Sequence, residues 1–176
     1  MKKLSVFILA AIATMAHAQD FKGLDKSPMD RVFYPTSNRV MDKAIVITYS
    51  RPQLRGRNLE DVVPTYKIWR TGANEATEIR LYKSIKLGTS EIKAGTYTMY
   101  SYPKEESLEI IINSTTNVWG AYGYDKSKDV ARIEVPVMES TQYIEAFSFA
   151  FSGNGNNPIL HAGWGNVRVE IPVTIL

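Results

Sequence analysis

The chain reads as an all-β protein, a single antiparallel β-sandwich of jelly-roll type with about eight to ten strands. Three observations lead there. Apolar residues recur with a period of two through most of the sequence, as a half-buried strand requires. Glycine, asparagine and proline clusters separate these runs at roughly strand-length intervals. No long stretch carries the 3.6-residue period of an amphipathic helix.

The elements follow in order. Lys2 and Lys3, the apolar run Leu4 to Ala13 and the small residues of Ala16-His17-Ala18 form a secretory signal pattern, with cleavage expected between Ala18 and Gln19. The apolar run is too short to cross a hydrocarbon core of roughly 30 Å. Residues 19–38 are polar, contain Pro28 and Pro35, and read as an arm that Phe33 and Tyr34 pin to the core. The sandwich is expected to occupy 39–176.

Ala44 to Arg51 is nearly continuous and β-branched, the pattern of a strand covered on both faces. A short strand is expected over 66–71. A longer one is expected over 76–87, with Ile79, Leu81, Ile85 and Leu87 on one face. Further strands follow over 95–102, 107–113, 129–137, 143–151 and 167–175. The last alternates Val167, Val169, Ile171, Val173 and Ile175 with Arg168, Glu170, Pro172 and Thr174. Residues 53–63 offer the best place for a turn or two of helix. Arg132-Ile-Glu-Val-Pro-Val echoes Arg168-Val-Glu-Ile-Pro-Val, so Pro136 and Pro172 mark exposed edges or bulges.

Composition narrows the chemistry. The 176 residues include no cysteine, which excludes disulfides, thiolate metal sites and a catalytic thiol. Removing 18 residues leaves 158, with 19 basic residues (21 less Lys2 and Lys3) against 18 acidic ones. A nearly neutral exported domain is not expected to bind nucleic acid. No later segment is long and apolar enough to span a membrane as a helix. His161 is the one histidine of the mature chain, no G-x-S-x-G elbow occurs, and His161 reads as a hydrogen-bonded structural residue. No phosphate-binding loop or metal-ligand spacing is present, so neither cofactor nor metal is expected.

Two constellations can carry chemistry. Arg51, Arg55 and Arg57 lie within seven residues and could grip an anion, or could pair with Glu60 and Asp61 in a solvated loop. The run Trp69-Arg70-Thr71-Gly72-Ala73-Asn74-Glu75-Ala76-Thr77 places Arg, Asn and Glu in one loop between strands. Trp69, Trp119 and Trp164, with Tyr122 and Tyr124, are either core or platforms for a sugar ring.

These blocks also carry a resemblance. Tyr49-Ser50-Arg51-Pro52 with Arg55-Gly56-Arg57 and Val63-Pro64 comes first. The Ile68 to Thr77 block, Lys93-Ala94-Gly95-Thr96-Tyr97, Trp119-Gly120-Ala121 and Trp164-Gly165 follow. Over about residues 28 to 176 the chain resembles the domain of unknown function 2911 family, found chiefly in exported proteins of Bacteroidetes-type bacteria. Leu108 stands near the place where that pattern has a tryptophan. The resemblance implies a β-sandwich and a periplasmic or secreted location, and brings no established activity.

The leading expectation is an exported binding module for a small polar or anionic ligand or glycan, with Arg51, Arg70, Asn74, Glu75 and Trp69 at the site. Catalysis is left open, and a hydrolase using Glu75 as acid or base is the alternative. A structural component of an envelope complex, joined to a partner protein through a strand edge, is the third reading.

Overall fold

A computed structural model describes residues 20–176. The expected signal segment and its cleavage point lie outside the described residues. Within them the chain forms ten strands in two antiparallel sheets. The first sheet contains β1 (Met29–Tyr34), β2 (Ile45–Ser50), β3 (Thr77–Leu81), β6 (Gly95–Pro103), β7 (Ser107–Asn113) and β8 (Asp129–Pro136), side by side in that order. The second orders β5 (Ser90–Ile92), β4 (Ile85–Leu87), β10 (Ile159–Ile175) and β9 (Met138–Ser152). The fold is the expected all-β sandwich.

The period-two pattern selects the inward face of each sheet. Ile45, Ile47, Ile79, Leu81, Ile110 and Ile112 meet Leu87, Phe147, Phe149, Phe151, Leu160 and Ile171 in one core. A second, smaller cluster of Ala76, Tyr100 and Ile111 lies apart from it, covered by Val118, Ala121 and Tyr124. It explains why β6 and β7 are apolar on both sides: the chain between β7 and β8 supplies cover for the outer face.

Several expectations need correction. The arm is not separate from the sandwich, because residues 29–34 pair with β2 in full register, from Met29 opposite Ser50 to Tyr34 opposite Ile45. Residues 66–71 form no strand; only Trp69 bridges to Ser101. The single strand expected over 76–87 is two strands in different sheets, since β3 pairs with β2 while β4 pairs with β10. Alternation carries across this step because both sheets turn their apolar faces to one core.

The last strand doubles back. Seventeen extended residues would span roughly 50 Å. Yet the Val173 amide donates to the Pro158 carbonyl at 3.0 Å and the Ile175 amide to that of Asn156 at 2.7 Å. β10 therefore folds over near Gly165, whose φ of +55° suits a residue without a side chain. β9 wraps the outside of this bend: from Ile144 to Glu139 it uses five residues while β10 advances two, from Gly165 to Val167.

The small residues of β9 meet the chain that leaves β2. The Phe147 amide donates to the Pro52 carbonyl at 2.9 Å and the Leu54 amide to that of Glu145 at 3.1 Å. Gln53 bridges to Ala146. This crossing joins the two sheets along one side and leads into a strap, residues 59–65, that begins with a short 3-10 turn at Leu59–Asp61. The turn falls within the region expected to hold one.

Candidate functional site

Two clefts flank the strap. One, of about 460 Å³, is lined by Glu60, Asp61, Val63, Trp69, Arg70 and Tyr122 among others. The other, of about 620 Å³, lies between the sheets and shares Glu60, Val63 and Trp69 with the first. Arg51, Asn74 and Glu75 line neither.

Arg70 owes its position to a strained turn. Trp69 pairs with Ser101 through both backbone groups, at 2.8 and 2.9 Å. The next residue but one, Thr71, adopts φ +54°, a conformation that costs a β-branched side chain about 1–3 kcal/mol. Bonds on every side hold it there. Its hydroxyl meets that of Ser101 at 2.9 Å, and its carbonyl accepts from the Thr77 hydroxyl at 2.7 Å. Gly72 is required because a Cβ there would come within 3.0 Å of the Ser50 carbonyl oxygen.

The result is an arginine without a partner. The Arg70 Nε is buried and has no hydrogen-bond acceptor among the described residues. Among the described residues its guanidinium makes no ion pair, although Glu60 and Asp61 line the same cleft. A buried guanidinium N–H left without an acceptor is costly, and the buried Tyr100 hydroxyl in the smaller cluster is unsatisfied in the same way.

The opposite wall is built from the Trp119-Gly120-Ala121 motif. The Gly120 amide donates to the Asn74 carbonyl at 3.0 Å, and the Ala76 amide to that of Val118 at 3.0 Å. Gly120 has φ +67°, and a Cβ there would lie 2.8 Å from the Tyr122 ring. The missing side chain lets that ring lie over the backbone. Behind it, the Tyr124 hydroxyl donates to Asp129 at 2.7 Å. Arg132 ties Asp129, Glu109 at 2.9 Å and the Tyr124 oxygen into one network. Desolvation and then the Asp129 bond push the Tyr124 phenol up to about 12.

The other sequence candidates are placed as follows. Each of the three Arg51 guanidinium nitrogens has an acceptor: Nε donates to the Phe147 carbonyl at 3.1 Å, Nη1 to Asp30 at 2.8 Å and Nη2 to the Ser148 hydroxyl at 2.7 Å. Arg57 donates to the carbonyls of Leu54 and Gln53, and Arg55 to the Gln53 side chain, so neither takes Glu60 or Asp61. Asn74 donates to Asp25 at 3.1 Å. Glu75 is exposed, its backbone bridged to Trp119. Trp69 is buried, stacked on Trp164 at 6.1 Å with an interplanar angle of 10°. Trp119 is 62% and Tyr122 89% exposed.

His161 contacts the Ser152 hydroxyl through Nε2 at 2.6 Å, and its Nδ1 lies 3.5 Å from Glu170. The order is that of a hydrolytic triad. It lies on a sheet face outside both clefts, without the enclosed, water-excluding site that makes such a trio catalytic. The sequence offered Tyr122 as core or sugar platform and Glu60 and Asp61 as partners of the loop arginines, and placed none of the three in a cleft with Arg70. Among the described residues no three metal-ligating side chains gather, and no helix is long and apolar enough to cross a membrane.

Comparison with known families matches residues 27–173 to the model described as protein of unknown function (DUF2911). The chain belongs to the DUF2911 family. No curated protein and no solved structure matches it. The motifs that carry the DUF2911 resemblance have separate physical tasks here. Tyr49 to Pro52 locks the sheet corner, Trp69 to Thr77 builds the arginine turn, and Trp119 to Ala121 seats the facing wall.

Proposed function

We propose that the protein is an exported binding module for a small polar ligand bearing an anionic group, seated in the cleft beside Arg70. The observation that carries this reading is the Arg70 guanidinium, which lines the cleft and makes no ion pair among the described residues. A carboxylate or phosphate oxygen pairs with the guanidinium through its terminal nitrogens, which no carboxylate of the described residues takes. The exposed Tyr122 ring gives the apolar face of a sugar a surface to stack on, which favours an acidic saccharide. Glu60 and Asp61 then accept from ligand hydroxyls. Export rests on the N-terminal pattern through Ala18.

No observation favours hydrolysis at Glu75, which is exposed and outside both clefts. The test is a thermal melt against glucuronate, with glucose as the neutral control. Glucuronate raises the melting temperature in a concentration-dependent way and glucose does so less. Arg70→Gln removes the difference. A glucuronate shift that survives Arg70→Gln, or no shift at all, defeats the proposal.

A further inference from the structure

The second cleft is a different kind of site. One end of the inter-sheet core, lined by Ile45, Ile79, Met99, Leu160, Ile171 and their neighbours, retains only about 10 Å³ of space. That is the packing expected of a protein interior. At the other end the same layer opens to about 620 Å³. The two sheets are therefore not loosely fitted in general. They close at one end and part at the other, where β9 wraps the bend of β10 and the strap crosses the mouth.

The walls are apolar: Leu108, Val137, Phe147, Trp164, Val167 and Val169 line the interior. The Trp69, Phe147 and Trp164 rings pack mutually at centroid distances of 5.3 to 6.1 Å, which fixes an aromatic floor. The charged rim is one-sided. Glu60, Glu105 and Glu139 face a single cation, Lys104. That ammonium is already bound to Glu134 at 2.6 Å and is turned to its own partner.

We infer that this cleft is a second binding site, for a small molecule with an apolar body and a cationic or strongly donating head. The volume is that of ordinary small-molecule pockets, and such pockets combine apolar walls with a few polar groups. A positive head gains from three carboxylates at the mouth and from the aromatic faces below them. A carboxylate head meets like charge. The two clefts thus select opposite head groups on either side of one strap.

Octylammonium and octanoate, which share a tail and differ in head charge, test this below the concentrations at which they form micelles. Tryptophan fluorescence reads binding, because two of the three tryptophans line the cleft. Octylammonium is expected to bind saturably and about fivefold more tightly than octanoate, a ratio corresponding to a modest surface charge interaction. Glu105→Gln with Glu139→Gln, both at exposed positions, brings the ratio close to one while the protein stays folded. Val167→Phe fills the cleft and removes saturable binding of both. Arg70→Gln leaves octylammonium binding unchanged, which separates this site from the saccharide cleft. Octanoate binding as well as octylammonium, non-saturable uptake, or binding indifferent to both Val167→Phe and the paired glutamine substitutions overturns the inference.

Discussion

At the corner where β2 leaves the first sheet, the Arg51 guanidinium reaches three acceptors, two of them on β9 of the opposite sheet. In the cleft beside the strap, the Arg70 guanidinium reaches none among the described residues and buries one N–H without an acceptor. Both arginines stand within two residues of a buried aromatic, Tyr49 or Trp69, and both lie in the segment that matches the family. The corner uses its arginine as a clamp between sheets. The cleft keeps one available. Arg132 belongs with the clamp, since Asp129, Glu109 and Tyr124 satisfy it together. An arginine's environment, not its motif, decides whether it is structure or site.

The largest expected effect lies at the corner. Arg51→Ala leaves Asp30 unpaired and the Phe147 carbonyl without its side-chain donor, and costs about 2 kcal/mol in urea unfolding. Arg51→Lys recovers little of this, because one ammonium cannot replace a planar fork facing three acceptors. If Arg51→Ala spares stability but removes glucuronate binding, the contrast between the two arginines is reversed.

The Arg132 network sharpens the comparison through pH. The Tyr124 phenol, pushed up to about 12 from an ordinary 10, holds its proton more tightly in the folded state than in the unfolded one. Its contribution is complete below pH 10 and is lost as pH rises toward 12. Tyr124→Phe should flatten that alkaline loss, read as the difference in unfolding midpoint between about pH 9 and about pH 11. An unchanged slope means that another group carries the alkaline transition.

The smallest effect belongs to the cleft. Glu75→Gln should change stability by less than about 0.5 kcal/mol, and Arg70→Gln, which removes a buried N–H without an acceptor, should raise it by up to about 1 kcal/mol. Only Arg70→Gln should alter glucuronate binding. A large loss of stability in Arg70→Gln would make Arg70 a second clamp.

Much of the fold was legible because strand periodicity is local. β2, β7 and β8 appear close to where alternation places them, and Phe147, Phe149 and Phe151 point inward as their spacing requires. β1 was hidden because its six residues alternate weakly and include Asp30 and Arg31, which an edge strand tolerates. Within the candidate site, the turn at Gly72 to Asn74 could be read from its residue types, but the availability of Arg70 could not.

The sequence by itself determined the class of fold, the inward face of most strands and the turns between them, since each depends on residues within a few positions. Tertiary structure alone decided that 76–87 divides between two sheets and that β10 doubles back on itself. It also decided which arginine is satisfied. The acceptors of Arg51 come from residues 21 to 97 positions away, so no local pattern records them. The strap, Arg70 and Tyr122 meet only because β6 and the chain after β7 bring separate segments to one end of the sandwich. Hydrogen-bond supply and cavity shape are properties of that assembly.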